Sequence, residues 1–130
     1  MLEGDGLIGQ FIKVMKIVLS CNDAEALKKA IIKAAEDDTL RTWSTKRTGD
    51  GDKVLIHSTN SHQWETEGII VLEPLKAPNF QTAVILEASV SYWNGNPKPT
   101  FEQQAYLIGR FTEILLAHFR NKFSDFRIEK

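Results

Sequence analysis

The chain has 130 residues, of which 42% are hydrophobic and 25% are charged, as in ordinary globular proteins and unlike disordered chains. Sixteen basic residues against seventeen acidic ones give a formal net charge of -1, which disfavours nucleic acid and membrane surfaces as partners. The length suits one α+β domain over residues 1–130, and a lone cysteine, Cys21, favours the cytoplasm over an oxidising compartment.

The first predicted strand covers Phe11 to Leu19, a run dense in β-branched residues. Residues 1–9, which include three glycines, are interpreted as a loose segment before it. A helix is the alternative for this run, because its apolar residues also recur at helical spacing. The run is about half the length that crosses a bilayer and contains two lysines, so we predict neither a membrane span nor a secretory signal.

A helix is predicted next, from about Asp23 to Glu36. Asn22 is its predicted N-cap, and Glu25 lies three residues later, as in a capping box. Alanine, leucine and isoleucine recur on one side of this helix, while lysine and glutamate recur on the other. This division is typical of a helix that lies on a sheet.

Four strands follow the first helix. Their predicted ranges are Leu40 to Thr48, Lys53 to Ser58, Gly68 to Glu73 and Gln81 to Trp93. Gly49-Asp50-Gly51 supplies positive-φ residues for a tight hairpin turn between the first two strands. The polar segment Thr59 to Thr66 is interpreted as a connection, and Pro74 is expected to close the third strand.

The last predicted strand alternates between two faces. Its core face should comprise Val84, Leu86, Ala88, Val90 and Tyr92. Thr100 and Gln103 form a second predicted capping box, which opens a helix that runs to about Asn121. The tail, Lys122 to Lys130, is predicted to add a short edge strand.

The order of elements is therefore β-α-β-β-β-β-α. Short connections make the strand block antiparallel, and two helices with one apolar side each must share a core. The sequence predicts an α+β fold, a two-layer sandwich in which two helices cover one face of a curved antiparallel sheet of about five strands.

The candidate site is the sheet face that the helices leave uncovered. We expect five residues there to bind a ligand or partner: Trp43, Arg47, His57, Glu87 and Trp93. Two tryptophans among ionisable groups could close a dimer, hold a small molecule or receive another protein. The leading interpretation is a noncatalytic binding module that forms a homodimer.

Three other interpretations stay open. The first is a small enzyme with a cavity between the sheet and the C-terminal helix, using Glu87 or His57 as acid or base. The second is a salt bridge between Glu87 and Arg47. The third is a nucleic-acid binder with Lys46, Arg47 and Lys53 near the sheet aromatics, which the acidic balance disfavours.

No catalytic residue, metal or cofactor is predicted. The three histidines, His57, His62 and His118, do not have the spacing of a standard metal site. Cys21 precedes the first helix, where a thiol can become nucleophilic, but a small buried side chain is the favoured interpretation.

Overall fold

The computed structural model describes residues 14–57, 68–93 and 95–130. The helices are α1 Ala24–Glu36 and α2 Phe101–His118, and the strands are β1 Lys16–Ser20, β2 Trp43–Arg47, β3 Lys53–His57, β4 Gly68–Lys76, β5 Ala83–Tyr92 and β6 Asp125–Glu129. These strands form one antiparallel sheet in the order β2-β3-β4-β5-β1-β6. The predicted α+β class and element order are confirmed, and the tail supplies the sixth strand at one edge.

Both helices pack on the same face of the sheet. The buried cluster that joins them includes Leu27 and Ile31 of α1, Leu107, Phe111 and Leu115 of α2, and Ile17, Leu55, Ile70, Leu86 and Ala88 of the strands. Each large apolar side chain that is fully buried contributes about 1.5–3 kcal/mol to stability. In the described part of the chain, no helix lies on the opposite face, which we call the outer face.

Helix α1 is capped by Asp23 and not by Asn22, so the predicted cap is wrong by one residue. The carboxylate of Asp23 accepts a hydrogen bond from the backbone N–H of Ala26 at 3.1 Å. Its carbonyl accepts the first helical bond, from the N–H of Leu27 at 3.0 Å. Glu25 therefore lies in the first turn, where its charge favours the helix dipole, and it does not complete a capping box.

The two neighbouring candidates for this cap allow a direct comparison. We expect Asp23→Ala to lower the free energy of unfolding by about 1 kcal/mol, because the N–H of Ala26 loses its acceptor. Asn22→Ala should change it by less than about 0.5 kcal/mol, as for most exposed surface positions. Urea unfolding followed by circular dichroism measures both, and equal losses would contradict the assignment.

The hairpin between β2 and β3 is shorter than predicted. The chain turns through Asp38 and Arg41, both with positive φ, and β2 begins only at Trp43 instead of Leu40. Of the two turn glycines, only Gly51 has a positive φ, of 91°.

Thr48 closes the hairpin turn from the β2 side. Its backbone N–H donates to the carbonyl of Asp52 at 2.8 Å, and its hydroxyl donates to the Asp50 carboxylate. This hydroxyl bond is the main reason why the pKa of Asp50 is lowered. Hydrogen bonds among the turn's own residues therefore stabilise it.

Strand β4 continues through Pro74 to Lys76, so the prediction that Pro74 closes it is wrong. Pro74 pairs with Leu86 of β5 on one side. On the other side, Leu55 of β3 pairs with Ile70, and continuing this antiparallel register places Pro74 beyond the start of β3. A proline is tolerated there because no strand requires its missing N–H.

Helix α2 begins as predicted and ends earlier. Thr100 and Gln103 form the capping box, with the hydroxyl accepting from the Gln103 N–H at 3.1 Å. The helix stops at His118 instead of Asn121, and a 3-10 turn over Arg120–Lys122 follows it. In the described segments, no helix is long and apolar enough to cross a membrane.

Some predictions fall outside the described residues. They concern the loose segment 1–9, the start of the first strand at Phe11, and the connection from Thr59 to Thr66. Strand β1 runs one residue past its predicted end, and it begins only at Lys16, so the prediction that Val14 and Met15 belong to the strand is wrong.

Candidate functional site

The five residues predicted to share a binding face are divided between the two faces of the sheet. Trp43 and His57 lie on the helix-facing side, beneath α2. Glu87 occupies an outer-face position of β5, and Trp93, the residue directly after β5, continues the same alternation. Arg47 alternates with Trp43 along β2, so it also occupies a helix-facing position, at the exposed end of that strand. The prediction of one common face is therefore wrong for Trp43, His57 and Arg47.

Trp43 and His57 are directly paired across β2 and β3, and their rings lie 4.8 Å apart. Trp43 also meets Phe111 of α2 edge-on at 5.6 Å, while His57 meets Tyr106 of the same helix at 5.5 Å. Aromatic rings in such tilted arrangements attract one another beyond the area that they bury. These four rings form one aromatic cluster between the hairpin and α2.

His57 is the unusual member of this cluster. It is only 3% exposed, and neither Nδ1 nor Nε2 has a hydrogen-bond partner among the described residues. Burial lowers the pKa of His57, and the positive charge of Arg110 lowers it further, while Glu113 opposes both effects. The imidazole is therefore held in its neutral form.

The outer face carries four contiguous aliphatic side chains, which we call the aliphatic block: Val54, Ile56, Ile69 and Val71. The pair Leu55 and Ile70 fixes the register of β3 and β4, so Val54 lies opposite Val71 and Ile56 opposite Ile69. Val54 and Ile69 are buried, while Ile56 and Val71 are half-buried. None of the four belongs to the cluster beneath the helices.

Trp93 and Lys46 approach each other over this block. The Lys46 ammonium lies 5.9 Å from the centre of the Trp93 ring, within the range of a cation–π attraction. Strands β3 and β4 separate the strands that carry these two residues. Their side chains must therefore reach toward each other across the block, and the half-buried Trp93 ring borders it.

Glu87 forms an ion pair with Lys16 and not with Arg47, so the predicted salt bridge is wrong. The Lys16 ammonium lies 3.1 Å from Glu87 and 3.7 Å from Glu129, and it thus bridges β5 and β6. Arg47 instead donates to the carbonyl of Gly51 at 3.0 Å within its own hairpin.

Glu73 has no such partner among the residues that the structure describes. It lies directly opposite Glu87 on the neighbouring strand, and like charges in this position destabilise a sheet. It is exposed beside Val71 of the aliphatic block, and no described cation pairs with it. The rim of the block thus carries a carboxylate at Glu73 and an ammonium at Lys46.

Two cavities that are lined by described residues lie away from this face. One of about 540 Å³ lies between α1 and the hairpin, and its lysines Lys28 and Lys53 are already paired with Asp52 and Glu36. The other, of about 410 Å³, lies between the start of α1 and the segment after α2. Glu87 and His57 line neither cavity, so these spaces do not support the acid or base role considered for them.

Cys21 lines the second cavity but is mostly buried. Burial is the main reason why the pKa of its thiol is raised, and this opposes formation of the nucleophilic thiolate. Among the described residues, no group of three histidine, cysteine or acidic side chains could hold a metal ion. His118 is exposed at the end of α2.

Comparison with known proteins gives no further guide to the site. No protein-family model matches the chain, and neither the curated proteins nor the solved structures searched contain a match. The functional argument therefore depends on the geometry of the outer face and of the aromatic cluster.

The sequence analysis missed two participants, Tyr106 beside His57 and Gln104 on the buried side of α2, and it named Lys46 only as part of a nucleic-acid surface. Gln104 had a detectable signal, because it shares the helical face of Leu107, Ile108 and Phe111. Tyr106 is half-buried beside His57, and Phe101 is exposed at the start of α2.

Proposed function

We propose that this protein is a noncatalytic interaction module that uses the outer face of its sheet to bind a second copy of the same chain. The aliphatic block is the observation that carries the proposal. No described helix covers these apolar side chains, and exposed apolar side chains on a sheet face favour contact with another protein surface.

Three residues at or beside the aliphatic block supply accessible apolar surface. Ile56, Val71 and Trp93 are half-buried, whereas Val54 and Ile69 are already covered within one chain. A partner that packs sheet against sheet, about 10 Å away, would cover the remaining area of these three side chains. Stable contacts of this kind bury about 800 Å² on each subunit.

The charges at the rim favour a second copy over an unrelated protein. In a two-fold contact, each residue that touches a partner residue is touched by the equivalent residue in return. An axis passing close to Val54 would bring Lys46 of each copy to Glu73 of the other. Neither of these residues forms an ion pair with an oppositely charged side chain in the described part of its own chain.

Charge reversal tests this arrangement. We expect Lys46→Glu and Glu73→Lys each to weaken the dimer by about tenfold or more, because like charges then face each other twice. The double reversal should restore association, because the charges are complementary again. Sedimentation equilibrium over a range of protein concentrations measures each dissociation constant.

A control makes the same charge change elsewhere. Lys29 is exposed on α1, on the other side of the sheet, and Lys29→Glu should leave the dissociation constant unchanged. A monomer mass at the highest soluble concentration would contradict the proposal. Single reversals without effect, or a double reversal that fails to restore association, would contradict the contact between Lys46 and Glu73.

A further inference from the structure

The aromatic cluster on the other side of the sheet provides an inference that is independent of dimerisation. His57 is buried between a strand and a helix, with its two nitrogens unpaired within the described residues. A histidine kept only for packing could be replaced by phenylalanine without leaving unpaired polar atoms in the core. Protonation of an unpaired, buried imidazole instead places an uncompensated positive charge in the core, so the stability of its contacts depends on pH.

We propose that His57 is an acid-sensitive latch, in which protonation of the imidazole releases α2 from the β2–β3 hairpin. The ring is one of the two ring contacts described between these elements, beside that of Trp43 with Phe111, since it meets Trp43 from β2 at a tilt and Tyr106 from α2 edge-on. A proton would place a buried cation at this contact, with two N–H donors and no acceptor among the described residues.

The charged groups that face His57 do not offset the cost of a buried imidazolium. On α2, Arg110 acts against a positive charge on the imidazole, and Glu113 acts in its favour. Glu113 is exposed and is already paired with Arg110 at 3.2 Å. The cluster neighbours Trp43 and Phe111 carry no charge, and the described contact of His57 with Tyr106 is between their rings.

Separation of α2 from the hairpin is the expected response. Opening there would hydrate the imidazolium and remove it from Arg110. Helix α1 packs on the strands through its own aliphatic residues, including Leu27 and Ile31, and does not depend on the ring contact with Tyr106. The latch therefore predicts loss of protection in α2 while α1 stays protected.

The direction and pH range follow from linkage. The pKa of His57 in the folded protein is below its ordinary value of 6.5, so the closed form binds the proton less tightly than an open form. The stability that the neutral His57 gives the closed form is fully present above pH 6.5. It is lost as the pH falls from there to the pKa of His57 in the closed form. Within that range, each pH unit can change the opening equilibrium by up to about tenfold.

Hydrogen exchange measured by mass spectrometry tests the latch on the full chain between pH 7.5 and pH 5. After correction for the intrinsic pH dependence of exchange, protection across Phe101–His118 should fall by up to about tenfold per pH unit below pH 6.5. Protection across Ala24–Glu36 should stay within about twofold. An equal loss in both helices would overturn the latch, because it would indicate global unfolding.

Two sets of variants isolate the histidine responsible. The double variant His62→Gln and His118→Gln retains only His57, and it should keep the response of the unmodified chain. His57→Phe should abolish the response, and His57→Leu serves the same purpose if the larger ring is not accommodated. A response that persists without His57, or that disappears in the double variant, would overturn the proposal.

Discussion

Trp43→Ala should lower the free energy of unfolding by about 3–5 kcal/mol, a large share of the stability of a small domain. Trp43 is 2% exposed and touches Phe111 of α2 edge-on at 5.6 Å. Truncation would leave a cavity between the hairpin and the helix, and the rings that remain would lose their aromatic partner. Urea unfolding followed by circular dichroism measures the loss.

Phe101→Ala is the matched control for this truncation. Phe101 is also a large aromatic residue, but it is 59% exposed at the start of α2, and its ring contacts the Lys130 ammonium. Its truncation should change stability by less than about 0.5–1 kcal/mol. If Trp43→Ala were as stable as Phe101→Ala, Trp43 would not be a core residue. That result would instead agree with the sequence prediction, which placed Trp43 on the uncovered face.

Local patterns in the sequence were sufficient for the elements themselves. The Thr100 and Gln103 capping box was predicted from spacing alone, and both of its hydrogen bonds are present. The long alternating run became β5, and the tail became the edge strand β6. These features depend on residues within one or two turns of each other, so a single sequence contains the information.

The faces of β2 and β3 could not be predicted in this way. Alternation divides each strand into two faces, but only the register between strands decides which face meets the helices. The register between β3 and β4 is fixed by the pair Leu55 and Ile70, across a long connection whose pairing the sequence does not encode locally. Trp43, His57 and Arg47 were therefore assigned to the wrong face.

The partner of Glu87 was missed for a related reason. Lys16 is distant in the chain, and it reaches Glu87 only because β1 inserts between β5 and β6. Arg47 was the nearer candidate in sequence, but it lies three strands away in the sheet. Sheet order is a property of the whole chain, so patterns within individual strands could not provide it.

The outer face is more apolar than the sequence predicted. The prediction concentrated on aromatic and ionisable residues, whereas the structure places Val54, Ile56, Ile69 and Val71 at the centre of this half of the face. Strands covered on both faces read as continuous aliphatic runs, and β3 and β4 have this character. The binding role of Trp93, Glu87 and Arg47 stays a prediction.

Gln104→Leu should destabilise the fold by about 2–4 kcal/mol, although it replaces a polar core residue with an apolar one. The Gln104 carbonyl oxygen accepts from the N–H of Met15 at 3.0 Å, and its amide donates to the carbonyl of Pro99 at 3.0 Å. Leucine fills a similar volume but satisfies neither group. Each buried group left unpaired costs about 1–3 kcal/mol.

The loss should concentrate at the start of β1. The Met15 carbonyl accepts from the N–H of Val90 at 3.0 Å, so Gln104 holds the residue at which the β1–β5 ladder begins. Gln103→Leu is the control, since it removes only the capping bond to the Thr100 N–H and should cost about 1 kcal/mol. Equal losses in urea unfolding would show that Gln104 does not join α2 to the sheet; a larger loss for Gln104→Leu, with faster amide exchange in β1, is the expected result.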